Sequence, residues 1–144
     1  MASPLREPVG LQVTRTAKVL SRAFDAALVE AGGSLPTWLV LVSLKGKAHG
    51  AQRELADAVG IEGPTLTHHL NRMEAAGLVT RTRDPANRRV HRVELTDEGR
   101  AAFQRLLGAV TEFDRRLRRG LSREDLDLLE DVLGRLQAAV DTAV

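Results

Sequence analysis

The chain has 144 residues, a formal net charge of +2, 43% hydrophobic residues and no cysteine. The lack of cysteine excludes disulfides, thiolate metal sites, a cysteine nucleophile and a thiol redox switch in this chain. Residues 1–10 lack an apolar signal core, and no run approaches the ~18 apolar residues of a membrane span, so we expect a soluble, cytoplasmic protein with no membrane partner.

Charge is unevenly distributed along the chain. Residues 65–92 contain six arginines but only two carboxylates, Glu74 and Asp84. Residues 121–144 reverse this balance, with six carboxylates and two arginines. A basic middle beside an acidic end is typical of a polyanion-binding patch on a neutral body, although an ordinary solvated surface has the same composition.

The N-terminal part of the chain predicts two helices. The first runs from about residue 9 to residue 31, because apolar residues recur at three- and four-residue steps until Gly32. Pro36 suits the first turn of the second helix, whose Trp38–Val42 segment is apolar on nearly every side. This second helix should therefore be buried, and residues 45–50 should form a loop.

Two short helices and a hairpin follow. A helix at 51–59 is broken at Gly60, and a second begins near Pro64 and ends at Gly77. Residues 78–83 and 90–95 alternate around Asp84-Pro85-Ala86-Asn87-Arg88-Arg89, which predicts two strands joined by a basic loop.

The C-terminal part predicts two more helices with capped starts. Thr96 is a good N-cap, and the long apolar-striped helix that follows it ends at Gly120. Ser122, followed by two carboxylates, caps a last helix whose stripe is Leu126, Leu129, Leu133, Leu136 and Val140.

The element order predicts a fold that is mainly α with a small β-hairpin. We interpret it as a winged helix-turn-helix flanked by N- and C-terminal dimerisation helices. The boundaries are a dimerisation helix at 1–34, a DNA-binding module at 35–95 and dimerisation helices at 96–144. Within a single chain the N- and C-terminal helices have little other surface to pack against. Their apolar stripes are therefore expected to pack on each other and on a second subunit.

The second short helix has two chemically different faces. At 100° per residue, Leu66, Leu70 and Met73 share one side. The other side carries polar or proline residues suited to the major groove: Pro64, Thr65, Thr67, His68, Asn71 and Arg72. Arginine can donate two hydrogen bonds to guanine, asparagine can pair with adenine, and threonine can contact a thymine methyl or a phosphate. The alternative is a solvated helix face that touches nothing.

The hairpin carries the second group of candidate DNA contacts. These wing residues are Arg81, Arg83, Asp84, Asn87, Arg88 and Arg89. An arginine at a hairpin tip can enter the minor groove, and Asp84 is available to brace one of the arginines at 81, 83, 88 and 89. A surface salt-bridge cluster is the alternative interpretation.

Two segments of the sequence resemble the MarR family of bacterial regulators. The first segment contains Leu55-Ala56, Val59-Gly60-Ile61, Thr65-Leu66-Thr67 and Leu70 to Val79. The second segment contains Arg83 to Arg89 and Val93-Glu94-Leu95-Thr96-Asp97-Glu98-Gly99. The similarity in helix order covers nearly the whole chain, and the wing-to-Thr-x-x-Gly segment is its most specific part. The family often has Asp where this chain has Asn87, which leaves Asp84 as the bracing carboxylate.

The resemblance implies a homodimer that reads a pseudopalindromic double-stranded DNA operator with two winged modules. Family members usually repress, and many release DNA when a phenolic or aromatic carboxylate binds between the dimer helices and the DNA module. By position, Arg15 and Trp38 are candidates to line such a pocket. The alternatives are a core tryptophan and a solvated or ion-paired arginine.

Other functional classes have weaker support in the sequence. The chain lacks a Gly-rich phosphate loop, Gly-x-Ser-x-Gly and His-Glu-x-x-His, so we expect neither an enzyme nor a cofactor. The adjacent His68 and His69 diverge by about 100° on a helix, so they cannot easily bind the same metal ion, and we assign no metal ligand. A metal-responsive regulator of the same fold remains an alternative, because His49 or His91 could bind an ion together with acidic residues from elsewhere in the dimer. A winged-helix protein-interaction module is the other alternative.

Overall fold

The computed structural model describes residues 6–46, 50–87 and 91–141. Its elements in chain order are α1 (Val9–Glu30), α2 (Leu35–Gly46), β1 (Gly50–Ala51), α3 (Gln52–Val59), α4 (Gly63–Ala75), β2 (Val79–Arg83), β3 (His91–Leu95), α5 (Asp97–Arg118) and α6 (Arg123–Val140). The chain divides into two compact units, Met1–Val110 and Thr111–Val144. This order of helices and strands confirms the predicted fold class.

The sheet of the wing has three strands in the order β1-β3-β2, and all pairs are antiparallel. The register of the hairpin runs from Val79 opposite Leu95 to Arg83 opposite His91. The sequence-based prediction of two strands was incomplete, because Gly50–Ala51 pairs with β3 as a third strand. A two-residue strand has no alternating pattern to detect, so Gly50 was wrongly predicted to be loop. The predicted loop was also wrong for Lys45 and Gly46, which belong to α2, and its residues 47–49 lie outside the described residues.

The core of the first unit joins α2 to the helix-turn-helix and to the start of α5. Its buried residues are Leu28, Trp38, Val40, Leu41, Leu44, Leu55, Leu66, Leu70, Met73, Val79, Val93, Ala102, Phe103 and Leu106. Trp38 stacks on Phe103 with ring centroids 5.5 Å apart and planes 8° apart. The prediction that α2 is buried holds for four of its residues but was wrong for Val42, which is 40% exposed.

Hydrogen bonds at Thr96 connect the end of α4 to the start of α5. The Thr96 hydroxyl accepts a hydrogen bond from the Gly99 N–H at 3.0 Å, which caps α5 as predicted. The same hydroxyl donates to the Gly77 carbonyl oxygen. Gly77 has φ of +78°, a conformation that suits glycine and ends α4 before β2 begins. This junction fixes where the wing leaves the helix-turn-helix.

The second unit contains a helix start that the sequence also predicts. Ser122 accepts a hydrogen bond from the Asp125 N–H at 3.0 Å, and the Asp125 carboxylate accepts one from the Ser122 N–H at 2.9 Å. This reciprocal capping box satisfies two amide hydrogens that have no partner within the helix. It explains why α6 begins directly after the turn at Gly120.

Large apolar side chains remain exposed on the outer helices. On α1 they are Val9, Leu11, Val13, Val19, Leu20 and Val29, and on α6 they are Leu128, Leu129, Leu133 and Val140. Within the part of the chain that the structure describes, no single helix has the length and apolarity to cross a membrane; α1 and α2, bent by 78°, pass that test of length and composition only as a pair.

Candidate nucleic-acid interface

Helix α4 has one buried and one exposed face, as its sequence predicts. Leu66, Leu70 and Met73 are buried in the core. The candidate contact residues Pro64, Thr65, His68, Asn71 and Arg72 are exposed, and Thr67 is partly exposed. The Thr67 hydroxyl donates to the Gly63 carbonyl oxygen at 2.9 Å, which ties it to the first turn of its own helix. The exposed face is thus available to a partner, and it carries hydrogen-bond donors of several kinds.

Arg81 on β2 is held against α4 instead of extending into solvent. Its guanidinium donates to Asn71 Oδ1 at 2.5 Å and to Glu74 Oε1 at 3.0 Å. Its backbone N–H also donates to Glu74 Oε2 at 3.3 Å. The Arg81 side chain is only 18% exposed, compared with 43% for Glu74. We call Asn71, Glu74 and Arg81 the α4–β2 clamp.

The clamp changes the acidity of its carboxylate. The hydrogen bond from the Arg81 side chain, helped by the positive charge of that group and its backbone N–H, holds the pKa of Glu74 below its usual value. The Glu74 carboxylate thus anchors the arginine that also contacts Asn71. The sequence placed Arg81 among the wing arginines but gave no sign of this contact, which joins residues ten positions apart.

Asp84 braces the wing through a different arginine from those considered in the sequence. Its carboxylate accepts a hydrogen bond from the Ala86 N–H at 2.8 Å and pairs with Arg92 at 3.4 Å. These interactions, the Ala86 N–H above all, lower the pKa of Asp84. Thr82 lies opposite Arg92 in the hairpin, so the register brings Arg92 back beside the turn. Arg81 is occupied in the clamp.

The other candidate wing residues are only partly covered by the described structure. Arg83 and Asn87 are exposed, and the Asn87 N–H donates to the Asp84 carbonyl oxygen at 3.2 Å, which closes the turn after β2. Arg88 and Arg89 lie outside the described residues. The predicted role of the hairpin tip therefore stays a prediction from the sequence.

A cavity of about 410 Å³ lies against the flank of α4 that faces away from the clamp. It is lined by Gly32, Gly33, Ser34, Pro36, Thr37, His69, Arg72, Met73, Ala76 and Leu78. The two pocket candidates from the sequence lie elsewhere. Trp38 is packed in the core on Phe103, and Arg15 is exposed and paired with Glu7.

A metal site does not emerge from the described side chains. Within residues 6–46, 50–87 and 91–141, no group of three or more His, Cys, Asp or Glu is arranged to hold an ion. His68 and His69 pack edge to face with ring centroids 5.8 Å apart. The metal-responsive alternative depended on His49 or His91, and neither of these side chains is described.

The sequence is similar to known regulators. A model of the MarR family matches residues 34–91. The uncharacterized HTH-type transcriptional regulator YdgJ of Bacillus subtilis is 33% identical over 87 residues, which cover 60% of this chain and 53% of that relative. The matched segment thus spans about half the length of this curated relative.

Solved structures extend the similarity over nearly the whole chain. The transcriptional repressor CouR, bound to a 23-mer DNA duplex, is 30% identical with a TM-score of 0.83 over 94% of this chain and 99% of that one. BpsR of Bordetella bronchiseptica, whose DNA binding is regulated by 6-hydroxynicotinic acid, shares the fold at 20% identity, with a TM-score of 0.81 over 95% of this chain and 98% of that one. The match to the family model and the extent of the likeness to CouR agree with the resemblance found in the sequence, and this chain belongs to the MarR family.

Proposed function

We propose that this protein is a homodimeric transcriptional repressor that binds a pseudopalindromic double-stranded DNA operator. The observation that carries the proposal is the exposed face of α4, where Arg72, Asn71 and Thr65 stand clear of a buried Leu66–Leu70–Met73 stripe. A helix fits the major groove of B-DNA, and these side chains match the donors and acceptors that base edges offer there.

The wing supports the same function. Arg83, at the end of β2, and Asn87, in the turn that follows, are exposed, and Arg88 and Arg89 follow directly in the sequence. We propose that this arginine-rich loop contacts the minor groove or the phosphates next to the groove that α4 occupies. Asp84 and Arg92 hold the base of the loop, so their role is to position it.

Dimerisation follows from exposed apolar surface. Each of the two units leaves leucine and valine side chains open to solvent, on α1 in the first and on α6 in the second. Covering such surface is favourable by about 25 cal/mol per Å², and a second copy of the chain would do so symmetrically. We propose that the same pairing presents two α4 helices to one duplex.

Selection of bound duplexes from a random library tests the DNA-binding function. We expect enrichment of an inverted repeat, and affinity for it should fall steeply between 50 and 200 mM salt because several phosphates are neutralised per dimer. Failure to enrich any sequence, together with an affinity that does not change with salt, would contradict the proposal and favour a protein-interaction module.

We further propose that a small aromatic carboxylate relieves repression by binding in the cavity beside α4. Arg72 supplies a cation for the carboxylate, and Met73, Leu78 and Pro36 supply apolar walls for the ring. Because Arg72 also lies on the exposed face of α4, a ligand that engages it would compete with DNA for the same side chain. BpsR, whose DNA binding responds to 6-hydroxynicotinic acid, is a relative with a ligand of this class.

Filling the cavity tests this site. Ala76→Met places a long side chain at a cavity-lining position where the backbone is helical, with φ of −80° and ψ of −3°. We expect calorimetric titration with 6-hydroxynicotinate and related aromatic carboxylates to lose any binding seen with the unmodified protein, while operator binding is kept. Ala101→Met, at an exposed position of α5, is the matched control. Equal ligand affinity in the two variants would place the effector elsewhere.

A further inference from the structure

We infer that Arg81 is a positioning residue that fixes the orientation of the Asn71 side-chain amide and thereby sets which base Asn71 selects. The inference rests on the proposed DNA-binding function, but it concerns how specificity arises within it. The juxtaposition that carries it is the α4–β2 clamp, in which one guanidinium contacts both Asn71 Oδ1 and Glu74 Oε1.

The clamp dictates which end of the amide faces the wing. A guanidinium has only hydrogen-bond donors, so it can be satisfied by the Asn71 oxygen but not by the Asn71 NH₂ group. If the amide turned over, two sets of donors would face each other at 2.5 Å. The oxygen therefore stays on the β2 side of α4, and the NH₂ group is held at the other end of the amide, away from the Arg81 guanidinium.

Arg81 is itself held firmly enough to act as a reference point. Its backbone N–H and its side chain both donate to the Glu74 carboxylate, so the arginine is attached to α4 at two places. In the ion pair between Arg81 and Glu74, the arginine is the more buried side chain, with 18% of its surface exposed. Since β2 also pairs with β3 along five residues, the position of Arg81 is set by the wing as a whole.

A fixed amide polarity matters because base edges differ in the order of their donors and acceptors. Asparagine reads adenine by accepting from N6 and donating to N7 at the same time. The carbonyl oxygen has two lone pairs, so it can accept from Arg81 and still accept from a base. An amide that cannot turn over matches one order of donor and acceptor across the groove and rejects the reversed order. Arg81 thus contributes to specificity without touching a base.

The experiment is a double-mutant cycle between Arg81→Met and Asn71→Ala on the selected operator. The quantity measured is the ratio of affinities for the operator and for variants with the base pair under Asn71 replaced or reversed. A loss of positive charge weakens binding to all sequences alike, so it cancels in this ratio. We expect Arg81→Met to lower the ratio at least about fivefold, as loss of a bidentate contact would. In the Asn71→Ala background the same change should leave the ratio unaltered.

A second variant guards against a folding defect. Glu74→Ala keeps Arg81 but removes its anchor, and it should lower the ratio in the same direction, whereas thermal unfolding and affinity for random DNA monitor the integrity of each variant. An unchanged ratio in both Arg81→Met and Glu74→Ala would overturn the inference, as would an equal loss in the Asn71→Ala background. Sequence-specific binding by the unmodified protein would survive either outcome, which separates this test from that of the proposed function.

Discussion

Arg72 stands on the exposed face of α4 and also lines the cavity, so the proposed DNA contact and the proposed ligand site share this residue. If it reads a base edge, Arg72→Ala should cost about 1–3 kcal/mol on the operator and relax specificity at one position. Fluorescence anisotropy with operator and random duplexes measures both effects. Arg100→Ala, which removes an exposed arginine of α5 paired with Asp97, is the control. Equal losses on both duplexes would make Arg72 a phosphate contact.

The lowered pKa values of Glu74 and Asp84 predict that the stability of the folded protein depends on pH. Arg81 lowers the pKa of Glu74, and the Ala86 N–H and Arg92 lower that of Asp84. A carboxyl whose folded pKa is depressed binds more protons when unfolded, so its contribution is present above the ordinary pKa of about 4 and is lost as the pH falls through the folded value.

We therefore expect the urea midpoint of unfolding to fall as the pH decreases from about 5 to about 3. The double variant Glu74→Gln with Asp84→Asn should lose less over this interval, because neither position can then take up a proton. A control variant, Glu112→Gln, removes an exposed carboxylate of α5 that lies outside the clamp and the wing turn. If the urea midpoint falls equally with pH in the unmodified protein, the double variant and Glu112→Gln, the clamp and the wing turn do not contribute to the acid sensitivity.

At the residue scale, the sequence predicted burial and exposure better than it predicted partners. The three-and-four spacing of Leu66, Leu70 and Met73 is enough to orient α4, so the exposed candidates could be named in advance. The contacts of Arg81 with Asn71 and Glu74 depend on where β2 crosses α4, and the pairing of Asp84 with Arg92 depends on the register of the hairpin. Neither is a local property of the sequence.

At the scale of elements, the junction between α4, β2 and α5 leaves no room for a side chain at Gly99. A Cβ atom there would lie 2.1 Å from the Leu78 carbonyl oxygen, which belongs to the backbone and cannot move aside easily. The Gly99 N–H is also the donor that Thr96 caps. This packing gives a physical reason for the Thr-x-x-Gly segment that follows the wing.

Gly99→Ala should therefore destabilise the protein by at least about 2 kcal/mol, since the added methyl group forces the backbone apart. Gly108→Ala in the same helix should stabilise it by up to about 1 kcal/mol, because nothing lies within 4 Å of the new Cβ and alanine favours a helix. Urea unfolding of the two variants measures both changes. Changes of the same sign would show that the close approach to Leu78 does not govern this junction.

Element ends with side-chain signals were predicted well, and those without them were not. Thr96 and Ser122 form the caps that their residue types indicate, and Gly77 ends α4 in the left-handed conformation that glycine allows. By contrast, Gly50–Ala51 forms β1 only because it pairs with Val93 and Arg92. No local sequence preference predicts a strand there. Tertiary contact decides such short elements.

At the scale of the whole molecule, the proposed binding to an inverted repeat requires two copies of the chain. The α6 stripe of Leu126, Leu129, Leu133, Leu136 and Val140 is only partly covered, and Leu133 is 41% exposed. We expect Leu129→Asp with Leu133→Asp to convert a dimer to a monomer, because each carboxylate would have to be buried in the interface. Leu128→Asp, which lies off this stripe, is the matched control, and light scattering distinguishes the two masses.

If the α6 stripe packs against a second copy of the chain, the Leu129→Asp/Leu133→Asp variant should also lose cooperative binding to a full operator. The Leu128→Asp control should keep it. A chain that remains dimeric in the double variant would exclude the α6 stripe from the interface. Within residues 1–34 and 96–144, dimerisation would then have to rest on α1 and α5.

Methylation interference on the selected operator tests whether two copies of α4 read the major groove of one duplex. Methyl groups on guanine N7 occupy the major groove, so they block any helix that reads base edges there. We predict two symmetric clusters of interfering guanines whose centres are about 10 base pairs apart, or a multiple of that spacing. Binding that is unaffected by N7 methylation, or interference in a single cluster, would show that two α4 helices do not read the major groove of one duplex.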